Sequence, residues 1–194
     1  MSHNETSLSL LERLCQAPDS DSWKRLVEAY SPLLKSWIGR YEVQAADADD
    51  LVQDVLLVVM RELPSFRHNQ QRGAFRTWLR RIVVNRLRNF WRSRGRAIAQ
   101  GGELMVRLDE LEDPRSADSL LWDQEHDRHL ALQLLAILDG RFTESTRAAF
   151  RRLVIENADA DEVAAELGLS LNAVFTAKSR VLRELRLAGR GLLD

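Results

Sequence analysis

The segment at positions 75–96, FRTWLRRIVVNRLRNFWRSRGR, combines many arginines with four large aromatic residues and contains no acidic residue. On a helix with roughly 100° between successive residues, its apolar side chains form one stripe. The remaining surface carries the candidate ligand-binding residues, which are Trp78, Arg81, Asn85, Arg88, Trp91 and Arg92. Arginines bind phosphate groups, and flat aromatic rings stack on unpaired bases. The segment therefore predicts a nucleic-acid surface; the alternative is a solvated basic face with its tryptophans in the core.

The polar stretch LPSFRHNQQRGAF, at positions 63–75, leads into that segment and contains a proline and a glycine, which favour a loop. Arg67, His68 and Asn69 carry donors and acceptors that suit the edge of a nucleotide base. The stretch is consistent with a loop that encloses an extruded base, and an ordinary solvent-exposed loop is the simpler interpretation.

A third candidate surface lies on ADADDLVQDVLLVVMREL at positions 46–63, where apolar residues recur with helical spacing. Its outward face carries Asp50, Gln53, Asp54, Leu57 and Arg61. An exposed leucine surrounded by charged residues is typical of a protein-binding surface, so Leu57 predicts a small interface anchor. The aspartates could alternatively bind a metal, but acidic residues at a helix start are explained more simply by the helix dipole.

Near the C-terminal end of the sequence, Asp159 and Ser170 suit the caps of two successive helices, with Gly168 in the turn between them. This order is the helix-turn-helix pattern, which an ordinary helical hairpin shares. The inward face of the second helix is predicted to consist of Leu171, Val174, Phe175, Leu182 and Leu185. The outward face is predicted to carry Asn172, Thr176, Ser179 and Arg183, with Ala173 and Arg180 nearby and Ser170 at the helix cap. Small polar residues followed by arginines indicate a helix that reads base edges first and phosphates behind them.

These surfaces require helices to position them, and helical periodicity extends over nearly the whole 194-residue chain. The predicted fold is all-α, with two small helical domains joined by a flexible acidic linker, the second domain containing the helix-turn-helix. Helices are predicted at 6–16, 22–41, 47–63, 73–93, 118–138, 144–156, 160–167 and 171–187. The predicted organisation is an N-terminal extension with a short helix (1–19), a first domain (20–95), a linker (96–117), a second domain (118–188) and a tail (189–194).

The charge along the chain alternates, although the formal net charge is only −1. Residues 61–96 are basic, residues 97–139 are acidic and residues 178–190 are basic again. Two separated basic zones indicate two contacts with a polyanion. The acidic zone could hold them apart, or mask one of them when the polyanion is absent.

Composition excludes several classes of protein. The single cysteine, Cys15, cannot form an internal disulfide, and four histidines without a cysteine cluster make no zinc motif. No cofactor is expected, and the aspartates without a histidine partner do not indicate an enzyme. No apolar run approaches the roughly 20 residues of a membrane helix. The N-terminus does not read as a signal peptide, so a cytoplasmic location is expected.

Together these segments resemble the bacterial RNA polymerase sigma factors, specifically the extracytoplasmic-function (ECF) group. The resemblance covers about residues 22–187 and is carried by DADDLVQDVLLVV, RGAFRTWLRRIVVNRLRNFWR and ADEVAAELGLSLNAVFTAKSRVLREL, in that order. It implies that the first domain is sigma domain 2, which binds the beta-prime clamp and opens the minus-ten promoter element. The second domain would be sigma domain 4, which reads the minus-thirty-five element and touches the beta flap.

The resemblance also implies partners: polymerase core, promoter DNA and an anti-sigma protein of unknown identity. Core contacts would fall on Asp50, Gln53, Asp54, Leu57 and Arg61. Minus-ten contacts would fall on Arg67, His68, Asn69, Trp78, Arg81, Asn85, Arg88, Trp91 and Arg92. Minus-thirty-five contacts would fall on Ser170, Asn172, Ala173, Thr176, Ser179, Arg180 and Arg183. One departure is that Lys178-Ser179-Arg180 comes about one turn later than the family's TVKSR sequence.

Two alternatives remain at this point. A helix-turn-helix regulator could bind duplex DNA without polymerase, but it would leave the Leu57 face and the tryptophan-rich basic helix without a task. A nuclease could use the aspartates, but their positions along a helix start do not converge on a metal.

Overall fold

The structure, a computed structural model, describes residues 10–16, 19–66, 73–94 and 101–189. Within these ranges it contains nine α-helices and no strand. The helices are α1 (Leu10–Gln16), α2 (Ser20–Gly39), α3 (Ala45–Glu62), α4 (Ala74–Ser93), α5 (Gly101–Glu112), α6 (Ala117–Leu138), α7 (Glu144–Phe150), α8 (Ala160–Leu167) and α9 (Leu171–Ala188). Short helical turns follow α3 at Leu63–Ser65, α6 at Asp139–Arg141 and α7 at Arg151–Ile155. The all-α prediction is confirmed.

Local sequence signals set the helix ends. The Asp19 carboxylate accepts a hydrogen bond from the Ser22 backbone N–H at 2.8 Å and so caps α2. Asp159 and Ser170 cap α8 and α9 in the same way, as the sequence predicts. Gly168 ends α8 in the left-handed region, with φ of 62°, a conformation that a glycine adopts without strain.

The larger of the cores, called the N-terminal core, contains buried side chains of α1 to α5 and of α6 as far as Leu130. Trp37 of α2 and Trp122 of α6 meet edge to face near its centre, with ring centroids 5.1 Å apart. Leu11 and Leu14 of α1 are buried against it, so the N-terminal helix docks on α2 and the turn after α3. Cys15 is half-buried, and its thiol lies 3.6 Å from the Leu63 carbonyl oxygen.

The predicted flexible linker is wrong for residues 101–112, which form α5. Leu108 and Leu111 are fully buried in the N-terminal core, and α5 packs along α4. Helix formation follows from the apolar spacing of Leu104, Leu108 and Leu111, which puts three leucines on one side of a helix. The glycines, the acidic residues and Pro114 favour a linker, but Pro114 lies beyond the end of the helix.

The smaller unit, called the C-terminal bundle, consists of the second half of α6 with α7, α8 and α9. Phe150, Val181 and Leu185 are buried in one cluster, and Val163 and Val174 in another. The predicted helix 144–156 is interrupted after Phe150, where a wider π-type turn extends to Ile155. Within the described residues, no helix combines the length and the apolar character needed to cross a membrane.

Candidate nucleic-acid and protein interfaces

The α3 helix presents the predicted outward face to solvent. Asp50, Gln53, Asp54, Leu57 and Arg61 are all exposed, while the opposite side of the helix is buried in the N-terminal core. Leu57 is 56% exposed. Met60, which the sequence analysis missed, is 47% exposed and lies three residues further along the same face. The face therefore combines two apolar side chains with a charged rim.

The aspartates at the start of α3 point to different partners. Asp47 forms an ion pair with Arg94, and Asp49 lies 2.6 Å from the Lys35 ammonium nitrogen. Asp50 and Asp54 have no ion-pair partner among the residues that the structure describes. In the same residues no group of three or more His, Cys, Asp or Glu is placed to hold a metal ion. The arrangement leaves Asp50 and Asp54 available to an external cation or basic side chain.

The α4 helix presents the predicted basic stripe only in part. Arg81, Asn85 and Arg92 are exposed. Arg88 is half-buried, because its guanidinium is held by two carboxylates of α5: Nη1 lies 2.6 Å from Glu112 Oε2, and Nη2 lies 2.5 Å from Asp109 Oδ1. The acidic segment thus covers a residue that the sequence predicts to bind DNA.

Two further arginines of α4 are paired with the acidic first half of α6. Arg80 is only 2% exposed, and its Nη1 atom lies 3.2 Å from Asp123 Oδ1. Burial is the main cause that lowers the pKa of Arg80, and the Asp123 carboxylate opposes it. Arg76 binds both Asp123 and Asp127, at 3.3 and 2.8 Å. These pairs join α4 to α6 and were not predicted.

The tryptophans flanking the stripe differ from the prediction. Trp91 is 2% exposed and belongs to the N-terminal core, so it is not on the surface where the sequence analysis placed it. Trp91 is buried because α4 has a second buried stripe beside its main apolar stripe. The second stripe consists of Arg80, Val84 and Trp91, which are spaced four and seven residues apart and so lie on one side of the helix. Trp78 is half-buried and packs against Phe66 and Phe75, with centroids 4.9 and 5.5 Å away. Arg67, His68 and Asn69 lie outside the described residues.

A buried polar contact that the sequence analysis also missed holds α6 against α2. The Tyr30 hydroxyl lies 3.2 Å from His126 Nε2, and His126 Nδ1 lies 3.0 Å from Asp127 Oδ1. Burial is the main cause that lowers the pKa of His126, and it raises that of Tyr30 well above its ordinary value. His126 is therefore a neutral imidazole that donates from Nδ1 to Asp127 and accepts from Tyr30.

In the C-terminal bundle, α9 presents the predicted outward face. Asn172, Thr176, Ser179, Arg180 and Arg183 are exposed. Ser170 is exposed and caps the helix through a 3.2 Å hydrogen bond from the Ala173 backbone N–H, while Ala173 itself is half-buried. Ser170, Asn172, Thr176 and Arg180 line one side of an open pocket of about 250 Å³.

Two of the residues predicted to point inward from α9 are on the surface. Leu171 is 40% exposed and Phe175 is 46% exposed. The buried side of α9 is defined by Val174, Ala177, Val181 and Leu185. Phe175 lies roughly 120° from the centre of that side at about 100° per residue, so the predicted stripe was too wide.

Comparison with known proteins identifies the family of this chain. The sequence model of Sigma-70 region 2 matches residues 26–97, which include α3 and α4. The ECF RNA polymerase sigma-E factor of Escherichia coli strain K12 is 30% identical over 192 residues, covering 94% of this chain and 92% of that protein. This chain belongs to the ECF group of RNA polymerase sigma factors.

Other members show the same level of similarity. The sigma-E factor of Salmonella typhimurium strain LT2 is 30% identical, with 94% of this chain and 92% of that protein covered. The ECF sigma factor SigE of Mycolicibacterium smegmatis is 30% identical over 165 residues, which cover 85% of this chain and 60% of that protein. This sigma factor therefore belongs to the proteins that direct RNA polymerase in transcription initiation.

Proposed function

We propose that this sigma factor binds RNA polymerase core through the exposed α3 face and carries it to promoters through α4 and α9. The observation that carries the proposal is the exposed pair Leu57 and Met60, framed by Asp50, Gln53, Asp54 and Arg61. A central apolar anchor inside a polar rim is the usual layout of a protein-binding hot spot. The beta-prime clamp of polymerase is the proposed occupant of this face.

The C-terminal bundle offers a second protein-binding surface. An open apolar groove of about 430 Å³ lies between the second half of α6, the turn after α7 and α9. Its lining includes Leu132, Phe142, Phe150, Ile155 and Val181. We assign this groove to the beta flap, since a groove of this character suits the apolar side of a short helix or loop.

The promoter contacts are proposed on two surfaces. Arg81, Asn85 and Arg92 are free to meet the minus-ten element, together with Arg88 once it is released, Trp78, and the loop residues Arg67, His68 and Asn69. On α9, Ser170, Asn172, Ala173 and Thr176 are proposed to meet minus-thirty-five bases, with Ser179, Arg180 and Arg183 on bases or phosphates.

The acidic helices α5 and α6 are proposed to mask α4 in the free protein. Asp109 and Glu112 form ion pairs with Arg88. Asp123 pairs with both Arg76 and Arg80, and Asp127 pairs with Arg76. DNA phosphates would have to compete with these carboxylates for Arg88. An anti-sigma protein that stabilised this closed arrangement would keep DNA away from Arg88, which makes such a regulator part of the proposal.

A pull-down with purified polymerase core tests the polymerase contact. Leu57→Arg should abolish capture of the protein, because a charged side chain would replace the apolar anchor. Leu120→Arg is the matched control: Leu120 is 60% exposed on α6, so the same change there should leave capture intact. Equal capture of both variants would contradict the α3 assignment. If wild type bound duplex DNA but not core, a regulator acting without polymerase would replace the proposed function.

A further inference from the structure

Phe175 is exposed on the helix that we propose reads DNA. It occupies the second turn of α9, and 46% of its surface is accessible. Among the described residues it packs into neither apolar cluster of the C-terminal bundle. It lies beside the exposed polar residues Asn172, Thr176 and Ser179, and roughly 40° to 100° around the helix separates it from each of them at about 100° per residue. An aromatic side chain therefore borders the face that meets base edges.

The chemistry of this side chain restricts what it can recognise. Asn172 and Thr176 can donate and accept hydrogen bonds, but the phenyl ring of Phe175 can do neither. The major groove presents one apolar group at base edges, which is the 5-methyl group of thymine. The first turns of a recognition helix are the part that reaches base edges. Contact with a thymine methyl would also cover the ring, which water covers in the free protein.

We propose that Phe175 determines specificity by packing on the 5-methyl group of a thymine in the duplex element read by α9. The proposal rests on the assignment of α9 to the minus-thirty-five element. It adds an apolar readout to the hydrogen-bonding and phosphate contacts of the neighbouring residues. It also gives a function to Phe175, whose aromatic side chain predicts a position in the core.

Replacing thymine by uracil in the DNA tests this contact without altering the protein fold. Duplexes that the full-length protein prefers are first selected from a random pool. Each thymine is then replaced singly by deoxyuridine, which removes one methyl group and leaves the pairing edge unchanged. Wild type should lose about fourfold in affinity at one position, the value expected for one buried methyl-sized apolar group.

The variants connect that loss to Phe175. Phe175→Ala should bind the thymine and deoxyuridine duplexes equally at that position, and Phe175→Leu should retain part of the difference. Leu187→Ala is the matched control, because Leu187 is an apolar residue that is 45% exposed at the other end of the same helix. It should discriminate between the two duplexes as wild type does. Circular dichroism confirms that each variant is folded.

The other outcomes overturn the proposal in distinguishable ways. If no single replacement weakens wild type, or if Phe175→Ala keeps the same loss, Phe175 does not read a methyl group although α9 still binds DNA. If the preferred duplexes contain no thymine, the proposal also fails. If wild type selects no duplex sequence at all, the minus-thirty-five assignment of α9 fails, and this proposal fails with it.

Discussion

Arg88 of α4 and Glu112 of α5 form an ion pair in which 2.6 Å separates Nη1 from Oε2. Asp109, one helical turn before Glu112, binds the other terminal nitrogen of the same guanidinium. The segment predicted to be a flexible linker therefore contributes a helix that neutralises part of the basic surface. The opposite charges of residues 61–96 and 97–139, visible in the sequence, reflect a contact within the molecule as well as a separation along the chain.

Removing the charges that hold Arg88 should increase affinity for DNA. The double change Asp109→Asn and Glu112→Gln removes the two carboxylates that bind the Arg88 guanidinium. DNA phosphates then bind Arg88 without competition from these carboxylates. Because both carboxylates are partly exposed, each ion pair contributes at most about 1 kcal/mol. The affinity for DNA is therefore expected to rise about threefold to tenfold. Fluorescence anisotropy with single-stranded and duplex oligonucleotides at low salt measures it.

The change in net charge requires its own control. Glu103→Gln with Glu110→Gln removes two charges from exposed positions of the same helix without touching a partner of Arg88. An equal gain in DNA affinity for the two double variants would show a general electrostatic effect and would contradict the mask.

Removing the carboxylate that faces Arg80 should destabilise the fold. Asp123→Asn leaves a nearly buried guanidinium without a charged partner and also removes one of the two partners of Arg76. Since Asp123 is 28% exposed and water can relax around it, a loss of about 1–3 kcal/mol in the free energy of unfolding is expected. Urea denaturation followed by circular dichroism measures the loss. Asp54→Asn, at an exposed position without an ion pair among the described residues, should change stability by less than about 0.5 kcal/mol.

His126 should make the stability of the protein depend on pH. Burial lowers its pKa in the folded state, while the unfolded chain has an ordinary histidine pKa of about 6.5. Below that value the unfolded chain binds a proton that the folded protein binds less readily, so stability is present above about pH 6.5 and is lost as pH falls. The neighbouring carboxylates of Asp127 and Asp123 raise the pKa of His126 and so oppose the effect of burial, whereas Arg76 lowers this pKa further.

The measurement is the free energy of unfolding between pH 7.5 and 5.5, above the range in which most carboxylates titrate. For wild type it should fall with pH by less than about 1.4 kcal/mol per unit. His126→Gln, which cannot bind the proton in either state, should show a shallower dependence. Parallel curves for the two proteins would show that His126 is not the cause.

The sequence predicts the elements whose buried face repeats with a regular period. Leu79, Ile82 and Val83 of α4 are buried as predicted, and so are Val55 and Val59 of α3. Because each of these helices has a clear apolar stripe, the opposite face, including Leu57, follows by geometry. The sequence alone therefore predicts the position of the proposed polymerase face.

The parts that were missed depend on a neighbouring helix that the sequence does not reveal. Trp91 and Arg80 lie outside the main apolar stripe of α4, but α5 and α6 pack beside this helix and a second stripe is buried. Phe175 shows the opposite case, since an aromatic residue suggests a core position where no core element covers it. In both cases hydrophobicity gives the tendency to be buried, whereas long-range packing decides the outcome.

Arg180 should account for one phosphate or base contact of α9. It is exposed beside Thr176 in the open pocket, and it has no ion-pair partner among the described residues. Arg180→Ala should weaken binding to a selected duplex, and it should reduce the slope of log affinity against log salt by about one if the contact is to a phosphate. A loss that is confined to one base pair of the duplex, with an unchanged slope, would instead identify a base contact. Titrations by fluorescence anisotropy at several salt concentrations distinguish a phosphate contact from a base contact.

Arg25→Ala on α2 is the control, because this arginine pairs with Asp21 on an exposed surface. It should change neither the affinity nor the slope. Identical behaviour of the two variants would remove Arg180 from the interface.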